Sequence, residues 1–249
     1  MLTENELKRY DRQIMIPGFG EEGQEKLKRA KVFIAGAGGL GSPIAIYLTA
    51  AGVGTIRIVD LDTVELSNLN RQILHWHKDL GFPKVSSAAE KLTALNPETM
   101  VEALRETITE DNAIDLIKGC DVILDAMDNL PTRYLLNRTA LALGIPFIHG
   151  AVRGLEGRAM TVVPGRSACL MCVYRGADVK GGKFPVVGVT PAVIGAIQAT
   201  EAIKYIVGIG ELLTNKLLLY NGLDMKFMVL EVKKDPGCRH CGQEGGRAG

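Results

Sequence analysis

A chain of 249 residues, 47% of them hydrophobic, has the apolar content to bury a large core, which excludes a disordered or fibrous polypeptide. A formal net charge of +1 gives no overall basic field, which argues against sequence-independent nucleic-acid binding and means that any anion must be held locally. No stretch has the length and charge-free character of a membrane span, and the opening MLTENELKRYDRQ lacks the basic region and apolar run of a signal peptide, so a cytoplasmic protein is expected.

Thr3 and Glu6 have capping-box spacing and predict a short helix over 4–10, followed by a charged helix over 21–29. KVFIAG, from Lys31, is a short apolar run ending in glycine, and an alanine-rich helix follows to about residue 51. TIRIVD predicts a strand over 55–60 and 83–95 a helix. TMVEAL, DVILDA and IPFIHG continue the strands, with helices over 111–118 and 131–143 between them. Strands separated by helices of this length imply a Rossmann-like, doubly wound parallel sheet. After His149 the rhythm changes. AVRGLEGRAMTVVPG predicts a hairpin and KLLLYNG with MKFMVLEVKK a second antiparallel pair, extending the same sheet. The apolar run 191–207 between them predicts a buried helix, and the small, polar tail 244–249 is expected to fray. The expected organisation is one α/β unit: a helical arm over 1–30, a nucleotide-binding half over 31–150, and an antiparallel half with a cysteine knuckle over 151–249.

Gly36-Ala37-Gly38-Gly39-Leu40-Gly41 matches the dinucleotide fingerprint, lies between a strand and a helix, and is followed about twenty residues later by Asp60 at a strand end. Glycines let peptide N–H groups approach phosphate oxygens, and the following helix start adds partial positive charge. A diphosphate is largely accommodated by such a loop, whereas a triphosphate needs further cations, and Arg71 and Lys84 follow in sequence. Asn68 and Asn70 add neutral donors and acceptors. Asp128, after the strand in DVILDAMDN, has the chemistry to hold Mg²⁺ at the carboxyl end of the sheet. A nicotinamide-dependent oxidoreductase is the competing reading of the glycine loop.

Of five cysteines, four form two pairs, Cys169-Leu-Met-Cys172 and Cys238-Arg-His-Cys241, each expected in a glycine-containing loop. They offer four thiolates for a tetrahedral zinc site, with a pool of reducible thiols as the alternative; His240 could replace one cysteine. His75, His77 and His149 lack ligand spacing and read as surface or partner-satisfied side chains, and Cys120 as a small buried hydrophobe.

RYDRQI (residues 9–14), GAGGLGS, DLDTVELSNLNRQ (residues 60–72), DAMDN and the two CxxC pairs occur in this order over nearly the whole chain. This order resembles the ubiquitin-activating-enzyme superfamily and, within it, the small MoeB/ThiF/HesA adenylyltransferases, particularly the molybdopterin-synthase adenylyltransferases. The resemblance implies a homodimeric enzyme that uses ATP and Mg²⁺ to adenylate the carboxyl-terminal glycine of a ubiquitin-fold sulfur carrier ending in Gly-Gly, for molybdopterin or thiamine synthesis. It places Gly38 and Gly41 at the phosphates and Asp60 at the ribose. Asn68, Arg71 and Lys84 fall around the triphosphate, with Asp128 as the metal-linked acid. The implied nucleotide set also includes Gly36, Gly39, Asp62, Gln72 and Asn129, and Arg12 is implied to reach the phosphates of the partner subunit. A noncatalytic binding subunit is a further possibility within the superfamily, against which the full set Arg12, Arg71, Lys84 and Asp128 argues. One departure stands out. Many members carry an extra cysteine before the long second-half helix, whereas GADVKGGKFPVVGV has none. The expectation is therefore adenylation without a covalent relay. The chain ends soon after Cys241, so sulfur is expected from a separate donor protein.

Overall fold

The computed structural model describes residues 1–175 and 184–242. Three short helices, α1 (Glu4–Arg9), α2 (Asp11–Ile14) and α3 (Gly20–Arg29), precede the sheet. The capping box is present: Thr3 Oγ1 accepts the Glu6 N–H and the Glu6 carboxylate accepts the Thr3 N–H. The alternating part then runs β1 (Lys31–Ala35), α4 (Gly41–Ala50), β2 (Thr55–Val59), α5 (Lys84–Leu95), β3 (Met100–Leu104), α6 (Ala113–Ile117), β4 (Val122–Asp125) and α7 (Leu130–Leu143). It is followed by β5 (Phe147–Arg153), β6 (Glu156–Val162), α8 (Leu170–Val173), α9 (Val189–Val207), β7 (Lys216–Asn221) and β8 (Lys226–Glu231).

These strands form one sheet of eight in the order β3-β2-β1-β4-β5-β6-β7-β8, parallel from β3 to β5 and antiparallel from β5 to β8. The expected mixed architecture is therefore present. Strand β5 runs through residue 150 to Arg153, so one strand serves both the parallel and antiparallel parts of the sheet.

Side-chain alternation explains why strands β1 and β4 are apolar on both faces. Val32, Ile34, Val122, Leu124 and Ile148 point into a core with Leu48 of α4 and Ile194 of α9, whereas Phe33, Ile123 and Phe147 pack with Ile117 of α6 and Leu136 of α7. Helix α9 begins at Val189, two residues before the predicted start, and packs against α3, α4 and β5. Outside the sheet's covered centre, every residue of the edge strand β8 is exposed.

This winding fixes the site. Strand β1 lies between β2 and β4, so the connection after β1 goes one way and that after β4 the other. At such a switch point the carboxyl ends of the strands diverge and leave a crevice, and the glycine loop emerges there.

Candidate nucleotide site and cysteine cluster

Each glycine of the loop answers to a different steric demand. Gly36 has φ +103°, and a Cβ there would lie 2.9 Å from the carbonyl oxygen of Ala126, which follows β4. At Gly41 a Cβ would stand 2.0 Å from the Gly36 oxygen, so this glycine lets α4 pack on the loop. Gly38 differs: the nearest atom to its Cβ would be Gln72 Nε2 at 3.6 Å, ordinary contact distance. Nothing inside the protein requires glycine at this position, which leaves the backbone open to close approach. Among the described residues, the N–H groups of Gly38 and Gly39 donate to no protein acceptor.

The polar stretch 60–72 wraps this loop. Asp60 Oδ2 accepts the Ala37 N–H at 2.8 Å and its Oδ1 accepts the Asp62 N–H at 2.9 Å. Gln72 is buried beside Gly38 with its Oε1 unpartnered, and the stem of Arg71 lies against Gly39. Arg71 is half-buried, donating to the Ser67 carbonyl and Asn70 Oδ1. Asn68 caps its own turn, accepting the Glu65 N–H at 3.1 Å. Lys84 is buried at the first position of α5 and pairs with the exposed Asp62 at 2.8 Å. A cation at the positive end of a helix dipole is unfavourable unless an anion offsets it, and Asp62 supplies that anion. The amino terminus of α9 closes in from the other half: a Cβ on Gly188 would meet the Asn70 oxygen at 2.4 Å, and Pro191 lies against Gly39.

Across the crevice, Asp128 is exposed after β4, while Asn129 caps α7 by accepting the Thr132 N–H. A buried polar set holds this loop in shape and carries no sequence signature. Asp125 Oδ1 accepts the Met127 N–H, and its Oδ2 is 2.6 Å from His149 Nδ1. Arg133 donates to the Met127 and Gly150 carbonyls, and Gln198 to those of Asp125 and Ile148. Burial holds His149 below the ordinary histidine range despite Asp125. His149 and His75 are thus partner-satisfied, and both are buried.

Arg12 is the residue that the chain does not bring to the crevice. It is exposed on α2, whose neighbours Tyr10 and Gln13 contact Gly52 and Ala51 just past the carboxyl end of α4. The glycine loop sits at the other end of that helix, about 15 Å away for ten residues. Within one chain the guanidinium therefore serves no ligand at the loop.

The two cysteine pairs converge. Sγ separations are 4.0 Å for Cys169–Cys172, 3.6 Å for Cys169–Cys238 and 3.5 Å for Cys172–Cys241, and all four sulfurs lie within 4.8 Å of one another. Tetrahedral zinc–sulfur bonds of about 2.3 Å require sulfurs roughly 3.8 Å apart, so the four residues fit that ion. Instead of a loop, the first pair occupies the opening turn of α8, with Cys169 as its N-cap. Burial pushes the Cys169 thiol up to about 11. His240 is not part of the cluster; its Nδ1 meets Asn137 Nδ2, while Asn137 Oδ1 accepts the Leu170 N–H and so ties both knuckle segments to α7. Cys120 is buried apart from them, and burial raises its thiol to about 11.

A doubly wound sheet with bare loop amides and flanking cations at its switch point defines a nucleotide-binding α/β protein. More particularly, the chain belongs to the ThiF family, whose model matches residues 10–240. It is 43% identical to the sulfur carrier protein adenylyltransferase of Thermus thermophilus, covering 97% of this chain and 93% of that protein. Identity to the SAMP-activating enzyme E1 of Haloferax volcanii is 42%, over 98% of this chain and 92% of the relative. Among solved structures, E. coli MccB superposes with a TM-score of 0.86 at 25% identity over 94% of this chain and 75% of that one. The same enzyme solved with ATP superposes at 0.82, with 25% identity over 94% and 74%.

Proposed function

We propose that the protein is a cytoplasmic adenylyltransferase that uses ATP and Mg²⁺ to activate the carboxyl-terminal glycine of a ubiquitin-fold sulfur carrier. The observation that carries this reading is the convergence of unpartnered loop amides with Arg71 and Lys84 at the switch point of a ThiF-family sheet. The names of two relatives, a sulfur carrier protein adenylyltransferase and a SAMP-activating enzyme E1, support the substrate class. No helix among the described residues is long and apolar enough to cross a membrane.

A carboxylate at neutral pH is already deprotonated. Its oxygen attacks the α-phosphorus without a general base, the bond to the bridging oxygen breaks, and pyrophosphate leaves while the carrier retains AMP as an acyl-adenylate. The protein must therefore supply position and neutralising charge. In this reading Gly38 and Gly39 offer amides to the phosphates, and Asp60 takes the ribose with its remaining lone pairs. Arg71 and Lys84 offset triphosphate charge, Asp62 keeping the Lys84 ammonium oriented until the nucleotide replaces it. Asn68, Gln72 and Asn129 complete the polar lining with Gly36 and Gly41 shaping the loop. Asp128 would hold Mg²⁺, which when bound screens the phosphates and the leaving pyrophosphate. Arg12 acts on the nucleotide of the second subunit of a homodimer, and the four clustered cysteines hold a structural zinc ion. Sulfur comes from a separate donor protein.

The test is ATP–pyrophosphate exchange in the presence of carriers ending in Gly-Gly. Arg71→Ala, Lys84→Ala and Asp128→Ala each lower exchange by tens- to about a thousand-fold, the range for one lost contact to a developing phosphate charge. Cys120→Ala leaves it nearly unchanged. Carrier-independent behaviour throughout, or a carrier adduct mapped to Cys120, would overturn the reading.

A further inference from the structure

His75 is not a member of the nucleotide set, yet its imidazole touches the glycine loop. It is buried, with Nε2 2.8 Å from the Ala37 carbonyl oxygen and Nδ1 2.9 Å from Ser87 Oγ on α5. The Ala37 oxygen can only accept, so Nε2 carries the proton, while Nδ1 faces Ser87 Oγ, whose single hydrogen lies between Nδ1 and Asp79 Oδ2 at 3.0 Å. Ser87 Oγ in turn accepts Lys91 Nζ at 2.8 Å, and Lys91 pairs with the buried Asp79. The imidazole is thus anchored from behind by a fully connected network. Its charged surroundings are Lys84 and Lys91 on α5 and Asp60 at the end of β2; burial, with the two lysines, holds it below the ordinary histidine range against Asp60 and the Ala37 carbonyl.

A trans peptide is planar, with its C=O and N–H antiparallel. Fixing the direction of the Ala37 carbonyl therefore fixes the direction of the Gly38 N–H, one of the bare donors of the loop. The preceding peptide is fixed as well, because the Ala37 N–H is held by Asp60.

We propose that His75 is a positioning residue that aims the Gly38 amide at the nucleotide phosphate by donating Nε2–H to the Ala37 carbonyl. The inference rests on the adenylation reading for its ligand, whereas its structural core concerns the loop alone. In this arrangement Asp60 and His75 clamp the two sides of Ala37, and the glycines that permit phosphate approach do not leave the loop free to collapse.

Two variants test it. In ligand-free protein, His75→Leu accelerates deuterium exchange at the Ala37 amide, which Asp60 holds, and His75→Gln, whose Nε2 replaces the imidazole donor, restores the wild-type rate. In calorimetry with ATP, His75→Leu weakens binding about tenfold, the size of one lost intramolecular hydrogen bond, and His75→Gln recovers it. In carrier-dependent exchange the loss appears in KM for ATP with kcat largely kept. Unchanged loop exchange and unchanged ATP affinity in His75→Leu would overturn the proposal. A wild-type protein that binds no ATP counts against the adenylation reading instead, and the loop exchange still judges His75. Should His75→Leu fail to fold, ¹⁵N spectroscopy of the wild-type imidazole decides: the neutral Nε2–H tautomer is expected, and the Nδ1–H tautomer would sink the proposal.

Discussion

Gly38 and Gly41 offer the sharpest separation of ligand approach from internal packing, because alanine at each meets a different neighbour. At Gly41 the new Cβ would lie 2.0 Å from the Gly36 oxygen and 2.9 Å from the Gly36 carbonyl carbon, both backbone atoms. Relief requires moving α4 or the loop by more than about 1 Å, and overpacking on this scale costs roughly 3 kcal/mol. For a chain of this size that lowers Tm by about 6–12 °C. At Gly38 the nearest atom is 3.6 Å away and φ lies outside the left-handed region, so alanine fits. Loss of unfolded-state freedom should even stabilise the protein, by about 0.4–1 kcal/mol. The methyl group nevertheless occupies the space beside the bare amides, and a charged hydrogen bond lost there costs about 1.5–3 kcal/mol, or roughly ten- to 150-fold in ATP affinity. Thermal unfolding paired with ATP calorimetry reads both effects. Wild-type ATP affinity in Gly38→Ala, or an unchanged Tm in Gly41→Ala, would refute the division of roles.

Replacing Cys238 or Cys241 with serine should lower bound zinc and Tm together, and stoichiometric metal retained by both variants would remove the cysteine assignment. Mixing inactive Arg12→Ala and Asp128→Ala chains should restore part of the pyrophosphate exchange, since a heterodimer contains one intact composite site; an inactive mixture with subunit exchange confirmed argues against action in trans. For the Asp79–Lys91 pair, burial raises the Asp79 carboxyl, but Lys91, the Trp76 N–H and Ser87 outweigh it and hold the group below its ordinary 3.8. The stabilisation is therefore present above about pH 4 and lost as pH falls through the lower folded value. Asp79→Asn should cost about 3 kcal/mol at pH 7, and the gap to wild type should shrink in acid melts, a constant gap being the contrary result.

Much of this architecture is legible in the chain because local and global demands agree. Capping at Thr3, apolar runs of strand length and a helix with proline at its start each specify an element through contacts within a few residues. The glycine loop is legible for the same reason: the steric requirements at Gly36 and Gly41 and the open space at Gly38 coincide in one short motif. Boundaries shift where a distant partner extends an element. Strand β5 continues to Arg153 because β6 pairs with it along its length, and α9 starts at Val189 because Gly188 lets the helix reach Asn70. The cysteine spacing announces convergence but not that Cys169 and Cys172 stand on a helical turn.

Depth alone does not separate the polar residues of the site, since Asn68, Gln72 and Lys84 of the nucleotide set are buried too; what a linear pattern hides is the distant partner. Asp62, Asp128 and Arg12 are exposed and belong to recognisable motifs, since charges that meet a ligand must be reachable from solvent. His75, Asp125, Gln198 and Arg133 are largely or fully buried, and they bond to carbonyls or side chains as far as 73 residues away. A buried polar group left unpaired would cost more than its bond contributes when made, so each is sustained by a specific tertiary partner. A histidine in ILHWH therefore carries no more local signal than a surface histidine. What distinguishes it is the carbonyl of Ala37, 38 residues earlier, which the folded sheet brings to its Nε2. The motif residues thus specify what the crevice can hold, while the buried set specifies the direction in which its donors point.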